Sequence, residues 1–373
     1  MGKREEQREV RRANKIRIVK FISRMGAVSK SEIASSLRLS MPTALQHVKE
    51  LMEDGYLVEN GEYGSTGGRK AKMLSLNETM AFAAGIDIEP NHIGFVLVNM
   101  RMEMIQRAKI RIPFSRDFAY YESMGKWLHA FLEQSGVDRK RVAGVGISVP
   151  GTVKREENRM VYSPVLQAEN VSFNRFGEWI GYPCQVENGV CGEAYEELFG
   201  EEEEAVYLSL NDVAEGAVYR RGRDADGLGS QVRASWIGHM QVGNGGLLCY
   251  CGRRGCLNSL CSAKALSGEN GKLDVFFQKV HRKEAGYKQR LEKYLDCLAV
   301  AVTNVRMAFG CRIVLGGAVG GYLGDFRKDL DRRVAEVDRM DSDTSFLQIG
   351  KCQADASACG AAMGMVERVF EEI

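Results

Sequence analysis

The sequence predicts an α/β protein with an N-terminal winged helix-turn-helix followed by a two-lobed body. Three observations carry this. Residues 1–76 hold 15 Lys and Arg against 9 Asp and Glu, and the remainder holds 36 against 40, so a basic head precedes an acidic body. The head shows two helix N-cap signals and a basic, glycine-rich loop. From residue 81 onward, short apolar strands alternate with helices, the pattern of an α/β body.

In the head, residues 14–25 place Ile16, Ile18, Phe21 and Ile22 at helical spacing. Ser29-Lys30-Ser31-Glu32 is a capping box opening a short helix that buries Ile33 and Leu37. Ser40 reads as a second N-cap with Pro42 in the first turn, starting a third helix that runs to about Asp54 and ends at Gly55. Leu45, Val48 and Met52 are its expected buried face, and Gly55 its stop. A tight turn between the second and third helices makes a helix-turn-helix. Ser40, Met41, Thr43, Gln46, His47 and Lys49 are then the expected DNA-facing residues. Tyr56–Glu59 and Lys72–Leu76 read as strands flanking the wing, residues 61–70, where Arg69 and Lys70 supply charge to a phosphate backbone. The competing readings are a solvated charged face or a small helical dimerisation domain.

The body reads as strands at Ala84–Ile88 and Gly94–Asn99 (an antiparallel pair), Val142–Val149, Pro183–Val186, Ala205–Leu210, Gly216–Tyr219 and Ile313–Leu315. Helices are expected at Cys191–Leu198, 290–309 and Ala358–Phe370. The length of 373 residues fits more than one domain. The expected division is 1–80 for the head, 81–192 plus 353–373 for the first lobe, and 193–352 for the second lobe with its dimerisation surface. No apolar run approaches the roughly 18 residues of a membrane span, and the charged N-terminus carries no secretory h-region, so a cytoplasmic protein is expected. Ten cysteines in such a chain are free thiols or metal ligands rather than disulfides.

Four of the metal-binding candidates stand together. His239, Cys249, Cys251 and Cys256 offer one imidazole and three thiolates, a ligand set for a closed, structural zinc. Gly252 and Gly255 let the backbone turn tightly between the sulfurs. Cys261 lies outside the pattern and is expected to be a packing residue.

Several motifs now combine. Ser65–Lys70 reads S-T-G-G-R-K, Ala84–Ile88 reads A-G-I-D-I, and Gly144–Gly151 reads G-V-G-I-S-V-P-G. V-E-N at Val186–Asn188, I-G-H at Ile237–His239, C-Y-C-G-R-R-G-C at Cys249–Cys256 and L-G-G at Leu315–Gly317 complete the set. The chain resembles the ROK family (repressor, open reading frame, kinase) over nearly its whole length. The resemblance implies an actin-like, sugar-kinase-type body. It also implies either a sugar kinase or, where a winged helix is present, a sugar-responsive transcription regulator.

Carried over residue by residue, the resemblance weakens the kinase reading. The first phosphate loop of the kinases, D-x-G-x-T, corresponds to Asp87-Ile88-Glu89-Pro90-Asn91, where a carboxylate replaces a glycine and would repel phosphate. The catalytic aspartate of V-E-N-D corresponds to Gly189, which cannot take a proton from a hydroxyl. Glu187 and Glu193 are nearby carboxylates that the motif does not place at the reacting hydroxyl. Gly316-Gly317 and Gly360-Ala361-Ala362 resemble the second phosphate loop and the adenosine motif, or simply serve tight strand-to-helix packing. The family's sugar-binding positions correspond to Val165, Asn188-Gly189, Trp236, His239 and Asn258; Asn188 and His239 keep the family residue. Trp236 either stacks on a sugar ring or fills the pocket.

The expectation is thus a non-enzymatic ROK-family regulator, a repressor with structural zinc. It binds a double-stranded operator as a homo-oligomer, dimer or tetramer, and senses a sugar or other metabolite at a degenerate site formed by Asn188, Trp236, His239 and Asn258. The alternative is a ROK kinase phosphorylating a hexose with ATP.

Overall fold

The computed structural model describes residues 3–62, 72–221, 230–268, 271–351 and 354–373. The chain forms two compact units, one running to Glu187 and including Ala358–Ile373, the other comprising Asn188–Arg221 and Ser230–Ser357.

The first unit opens with α1 (Lys3–Met25), β1 (Ala27–Val28), α2 (Lys30–Ser36), α3 (Met41–Glu53), β2 (Leu57–Glu62) and β3 (Lys72–Leu76). The strands form a three-stranded sheet in the order β1-β3-β2 with antiparallel pairing. The α2 capping box forms in both directions: Glu32 N–H donates to Ser29 Oγ at 3.2 Å, and Ser29 N–H donates to Glu32 Oε2 at 2.7 Å. Ser40 caps α3 by accepting from Thr43 N–H at 3.3 Å. Gly55, at φ +83, terminates α3 in a conformation that costs a Cβ-bearing residue energy.

The same unit continues through β4 (Phe82–Ile88), β5 (His92–Asn99), β6 (Met104–Arg111), α4 (Phe118–Gln134), β7 (Val142–Val149), β8 (Thr152–Lys154), β9 (Arg159–Ser163), β10 (Ala168–Ser172), α5 (Asn174–Ile180) and β11 (Cys184–Asn188). Its main sheet has the order β11-β7-β4-β5-β6, with β4, β5 and β6 as an antiparallel meander and β7 parallel to β4. β8, β9 and β10 form a separate small sheet.

The second unit holds α6 (Gly189–Leu198), β12 (Ala205–Leu210), β13 (Ala214–Arg221), β14 (Ser230–Ser235), α7 (Leu257–Cys261), α8 (Ala263–Ser267), α9 (Leu273–His281), α10 (Ala285–Phe309), β15 (Arg312–Gly316), α11 (Gly317–Leu323), α12 (Arg327–Val337) and β16 (Leu347–Ile349). Its sheet order is β14-β13-β12-β15-β16, again an antiparallel meander with parallel strands added beside its first strand. The two units therefore repeat one topology. α10 is the spine of the second core, burying Leu291, Leu295, Leu298, Val302 and Val305.

The last helix, α13 (Ala356–Glu371), packs against the first sheet at two glycines. A Cβ on Gly85 would lie 2.1 Å from Ala358 O, and one on Gly146 would lie 2.1 Å from Ala361 O. Both obstacles are backbone and cannot swing away. Gly146→Ala is therefore expected to cost on the order of 3 kcal/mol through overpacking. Calorimetry should read this as a lower, still cooperative transition, and an unchanged midpoint would show that sheet and helix separate freely. At its far end α13 meets α1: Arg12 Nε donates to Ile373 O at 3.0 Å, and Lys20 lies 3.5 Å from Glu371.

Candidate DNA-binding face and metal centre

α3 packs on α1 and α2, and its buried residues are Ala44, His47, Val48 and Leu51. These fall at i, i+3, i+4 and i+7, the stripe of an amphipathic helix. This corrects the sequence reading in two places. His47 is 2% exposed and so is not a base-facing group. Leu45, expected inside, is 42% exposed and joins Met41, Gln46 and Lys49 on the open side. Leu45 misled the pattern because the true stripe includes an alanine and a histidine, which carry little hydrophobic signal.

The other expected residues are placed as follows. Ser40 is exposed and spends its hydroxyl on capping, also meeting Thr43 Oγ1 at 2.7 Å. Gln46 reaches Glu50 at 3.1 Å, and Lys49 lies 3.6 Å from Glu53 at the surface. Arg69 and Lys70 lie outside the described residues.

Glu50 anchors the helix on α1, 2.6 Å from Arg11 and 3.2 Å from Lys15. Burial raises its carboxyl, but hydrogen bonds from Lys15, Arg11 and Gln46 outweigh this and bring it down to about 2. Burial lowers His47 from its ordinary value, against the attraction of Glu50 and with the repulsion of Arg11 and Lys15. The folded head therefore favours neutral His47. Its contribution to stability is full above about pH 6.5 and is lost as pH falls below that toward the lower folded value. Glu215 titrates in the opposite sense in the other unit. Burial pushes its carboxyl up to about 7 against a hydrogen bond from Asn188, so its contribution declines as pH rises from about 4.5 to 7. Comparison with a variant separates the two: the midpoint difference between wild type and His47→Leu should shift against the wild type from pH 7.5 to 5.5. A pH-independent difference would reject the assignment.

The second cluster lies in the second unit. His239 ends the 3-10 turn Trp236–His239, and Cys249, Cys251 and Cys256 follow on a loop that leads into α7. Their ligand atoms all lie within 4.8 Å of one another. Cys251 Sγ is 3.7 Å from Cys256 Sγ, and Cys249 Sγ is 3.4 Å from His239 Nδ1. A tetrahedral ion with sulfur at about 2.3 Å sets two sulfurs about 3.8 Å apart, and a sulfur about 3.5 Å from an imidazole nitrogen. Those two distances match a tetrahedral metal, and the four residues could hold one.

Backbone turns create this geometry. Gly252 and Gly255 take φ +83 and +81, and a Cβ on Gly255 would strike Gly243 O at 2.0 Å. Cys249 N–H donates to Arg253 O at 2.9 Å, and Gly252 N–H to Cys249 O at 2.8 Å. Burial raises the Cys251 thiol, but hydrogen bonds involving Arg253 outweigh it and bring it down to about 7; Cys256, buried beside two thiols, is pushed up to about 12. Cys261 is outside the cluster, fully buried with Sγ 3.8 Å from Tyr294 O.

Around the cluster, Trp236 is 69% exposed and stacks on His239 with centroids 5.8 Å apart, so it does not pack into the interior. Asn258 accepts from Ala214 N–H at 2.8 Å and donates to Cys249 Sγ at 3.6 Å. Asn188 is buried, caps α6 by accepting from Val190 N–H at 2.8 Å, and meets Glu215. Glu215 lies inside β13, which starts at Ala214, two residues before the start that the apolar pattern predicts. Asn258 and Asn188 both make hydrogen bonds within the fold.

The positions that the family resemblance set beside the kinase motifs also make contacts within the fold. Glu89-Pro90-Asn91 forms the turn between β4 and β5, with Pro90 O accepting from Phe114 N–H at 2.9 Å. Glu89 pairs with Lys109 at 2.8 Å. Gly189 is the first residue of α6. Glu187 pairs with Arg155 at 3.0 Å, and Glu193 is held by Asn211 at 2.9 Å. A Cβ on Gly316 would meet Tyr207 Oη at 2.0 Å, and Asn211 Oδ1 accepts from Ala318 N–H at 2.7 Å. Gly316 thus leaves room for the Tyr207 ring of the neighbouring strand, and Asn211 ties the following helix start to the β12–β13 turn.

A winged helix joined to a repeated α/β body defines a DNA-binding transcriptional regulator built on a kinase-type scaffold. The ROK family profile matches residues 83–367, and a winged helix-turn-helix DNA-binding profile matches residues 11–58. The chain belongs to the ROK family. It is 23% identical to the xylose repressor of Bacillus subtilis over 83% of each chain. Its fold matches a ROK family transcriptional regulator, a homologue of the Escherichia coli MLC protein, with TM-score 0.75, 17% identity and coverage of 97% and 96%. It also matches a ROK glucokinase of Streptomyces griseus, solved with glucose and AMPPNP, with TM-score 0.61, 19% identity and coverage of 76% and 98%. Among the described residues, no helix is long and apolar enough to cross a membrane.

Proposed function

We propose that the protein is a transcriptional repressor that binds a palindromic operator as a homodimer. The observation that carries this is the capped α3, which leaves Met41, Leu45, Gln46 and Lys49 open on a winged helix. Thr43 and Ser40 sit at its N-terminal end, and Arg69 and Lys70 are assigned to phosphate contacts from the wing. Dimeric symmetry matches two half-sites. We assign the head to residues 1–80 and the body to two lobes, 81–192 plus 353–373 and 193–352.

The body carries no kinase chemistry in this reading. The base position is glycine, and the flanking carboxylates Glu187 and Glu193 are held by Arg155 and Asn211. Zinc is assigned to His239, Cys249, Cys251 and Cys256, a full set of four ligands that leaves no open position and so acts structurally. The xylose repressor among the relatives supports a sugar or sugar-derived effector, for which the exposed ring of Trp236, above His239, is the assigned contact.

Titration of promoter fragments flanking the protein's own gene tests the main reading. Saturable, sequence-specific binding in the nanomolar range is expected, and its absence at every such fragment overturns the repressor assignment. ADP release across hexoses and amino sugars should stay at background; zinc-dependent turnover would establish the kinase instead.

A further inference from the structure

The Asn258 amide touches both the cysteine loop and the β12–β13 hairpin. It is the second residue of α7, immediately after Leu257 and two after the ligand Cys256. Its Oδ1 accepts from Ala214 N–H at 2.8 Å. Its Nδ2 faces Cys249 Sγ at 3.6 Å. The amide orientation is fixed by chemistry: Ala214 N–H needs an acceptor, and a metal-bound thiolate, having no proton, needs a donor. A carboxylate side chain here could satisfy the first demand but not the second.

The hairpin turn it grips is confined elsewhere too. Ala214 O lies where a Cβ on Gly238 would approach to 2.2 Å, so the turn abuts the segment that carries His239. Asn211 O accepts from Ala263 N–H at 2.8 Å, and Asn211 Oδ1 accepts from Ala318 N–H at 2.7 Å. The residue after Ala214 is Glu215, whose carboxyl meets Asn188 at the start of α6.

We propose that Asn258 is a positioning residue of the metal centre, donating to the Cys249 thiolate and holding the Ala214 amide, so that metal occupancy fixes the β12–β13 turn. The proposal rests on the zinc assignment above. Outer-sphere donors to metal ligands orient them and typically change metal affinity 10- to 100-fold. Asn258 does this from the helix that Cys256 itself begins, so ligand and support move as one piece.

The test uses the full chain loaded with zinc, with release to a chromogenic chelator and amide hydrogen exchange as readouts. Wild type should release zinc slowly, and chelation should speed exchange of the peptide containing Ala214. Asn258→Ala should release zinc roughly 10-fold faster or more. Its Ala214 peptide should exchange rapidly with or without chelation. Asn258→Asp keeps the acceptor but places a carboxylate beside the thiolate, so while zinc-loaded it should retain wild-type protection at Ala214, yet release zinc fastest on chelation. If Asn258→Ala does not fold, the Asp variant alone decides through this split between the two readouts. Wild-type release rates in the variants, or Ala214 exchange in the wild type that ignores chelation, overturns the role of Asn258 while leaving zinc in place. A wild-type chain that carries no zinc and takes up no cobalt overturns both.

Discussion

Cys256→Ser is expected to lose its zinc and a large part of the stability of the second unit. Metal analysis of the purified variant should fall to background, where the wild type is expected to carry one ion. A ligand present at 1,000 times its dissociation constant stabilises a fold by about 4 kcal/mol. At about 2–4 °C per kcal/mol for a body of this size, the midpoint should drop on the order of 10 °C. The size follows from where the cysteine sits. Cys256 is 1% exposed, occupies the N-cap position of α7 and pairs through its backbone with Gln241 in an isolated bridge, so a metal bound at its sulfur would tie the loop to the residue that starts the helix. Cys261→Ser is the matched control. That thiol is equally buried but outside the cluster, so the variant should lose some stability while keeping the metal. Zinc retained by Cys256→Ser, or lost equally in both variants, would remove Cys256 from the ligand set.

Gln46→Ala is expected to weaken operator binding by about 1–3 kcal/mol, or roughly 5- to 150-fold, with thermal stability unchanged. Gln46 is exposed on α3 and its amide donates to Glu50, which keeps its pairs with Arg11 and Lys15, so truncation leaves the packed face intact. Lys49→Ala should behave differently. A lysine that meets phosphate weakens binding to all sequences alike and reduces its salt dependence by about one unit of slope. His47→Ala should instead lower stability, because its ring is inside the head. Equal losses of affinity for specific and nonspecific DNA in Gln46→Ala would place Gln46 outside base recognition.

Much of this protein could be read from the chain before any fold was known, and the readable parts share a cause. The capping box at Ser29 and Glu32, the Ser40 cap and the Gly55 stop all form as expected. Each depends on backbone groups within a few residues. The strands β4, β5, β7, β12 and β15 are legible for a similar reason, since apolar runs bounded by turn residues have few alternatives. The four residues His239, Cys249, Cys251 and Cys256 come within 4.8 Å of each other, as their spacing and glycines imply.

What failed to show in the sequence depends on distant partners. Leu45 looks like core and His47 looks like surface until α1 and α2 decide which side of α3 is covered. The contacts of Asn188 with Glu215, and of Asn258 with Ala214 and Cys249, come from distant parts of the chain and could not be read from spacing. Glu89 looks only like a lost glycine, whereas the fold gives it Lys109.

The sequence alone therefore determined the head, the alternating body, the family and the cluster of His239 with three cysteines, because those are written in local periodicity, caps, short spacings and motifs. Only the tertiary structure decided which face of α3 is open, that two sheets repeat one topology, and which polar side chains are already engaged. Burial and hydrogen-bond satisfaction are properties of the neighbours a residue acquires, and those neighbours lie tens to hundreds of positions away in the chain.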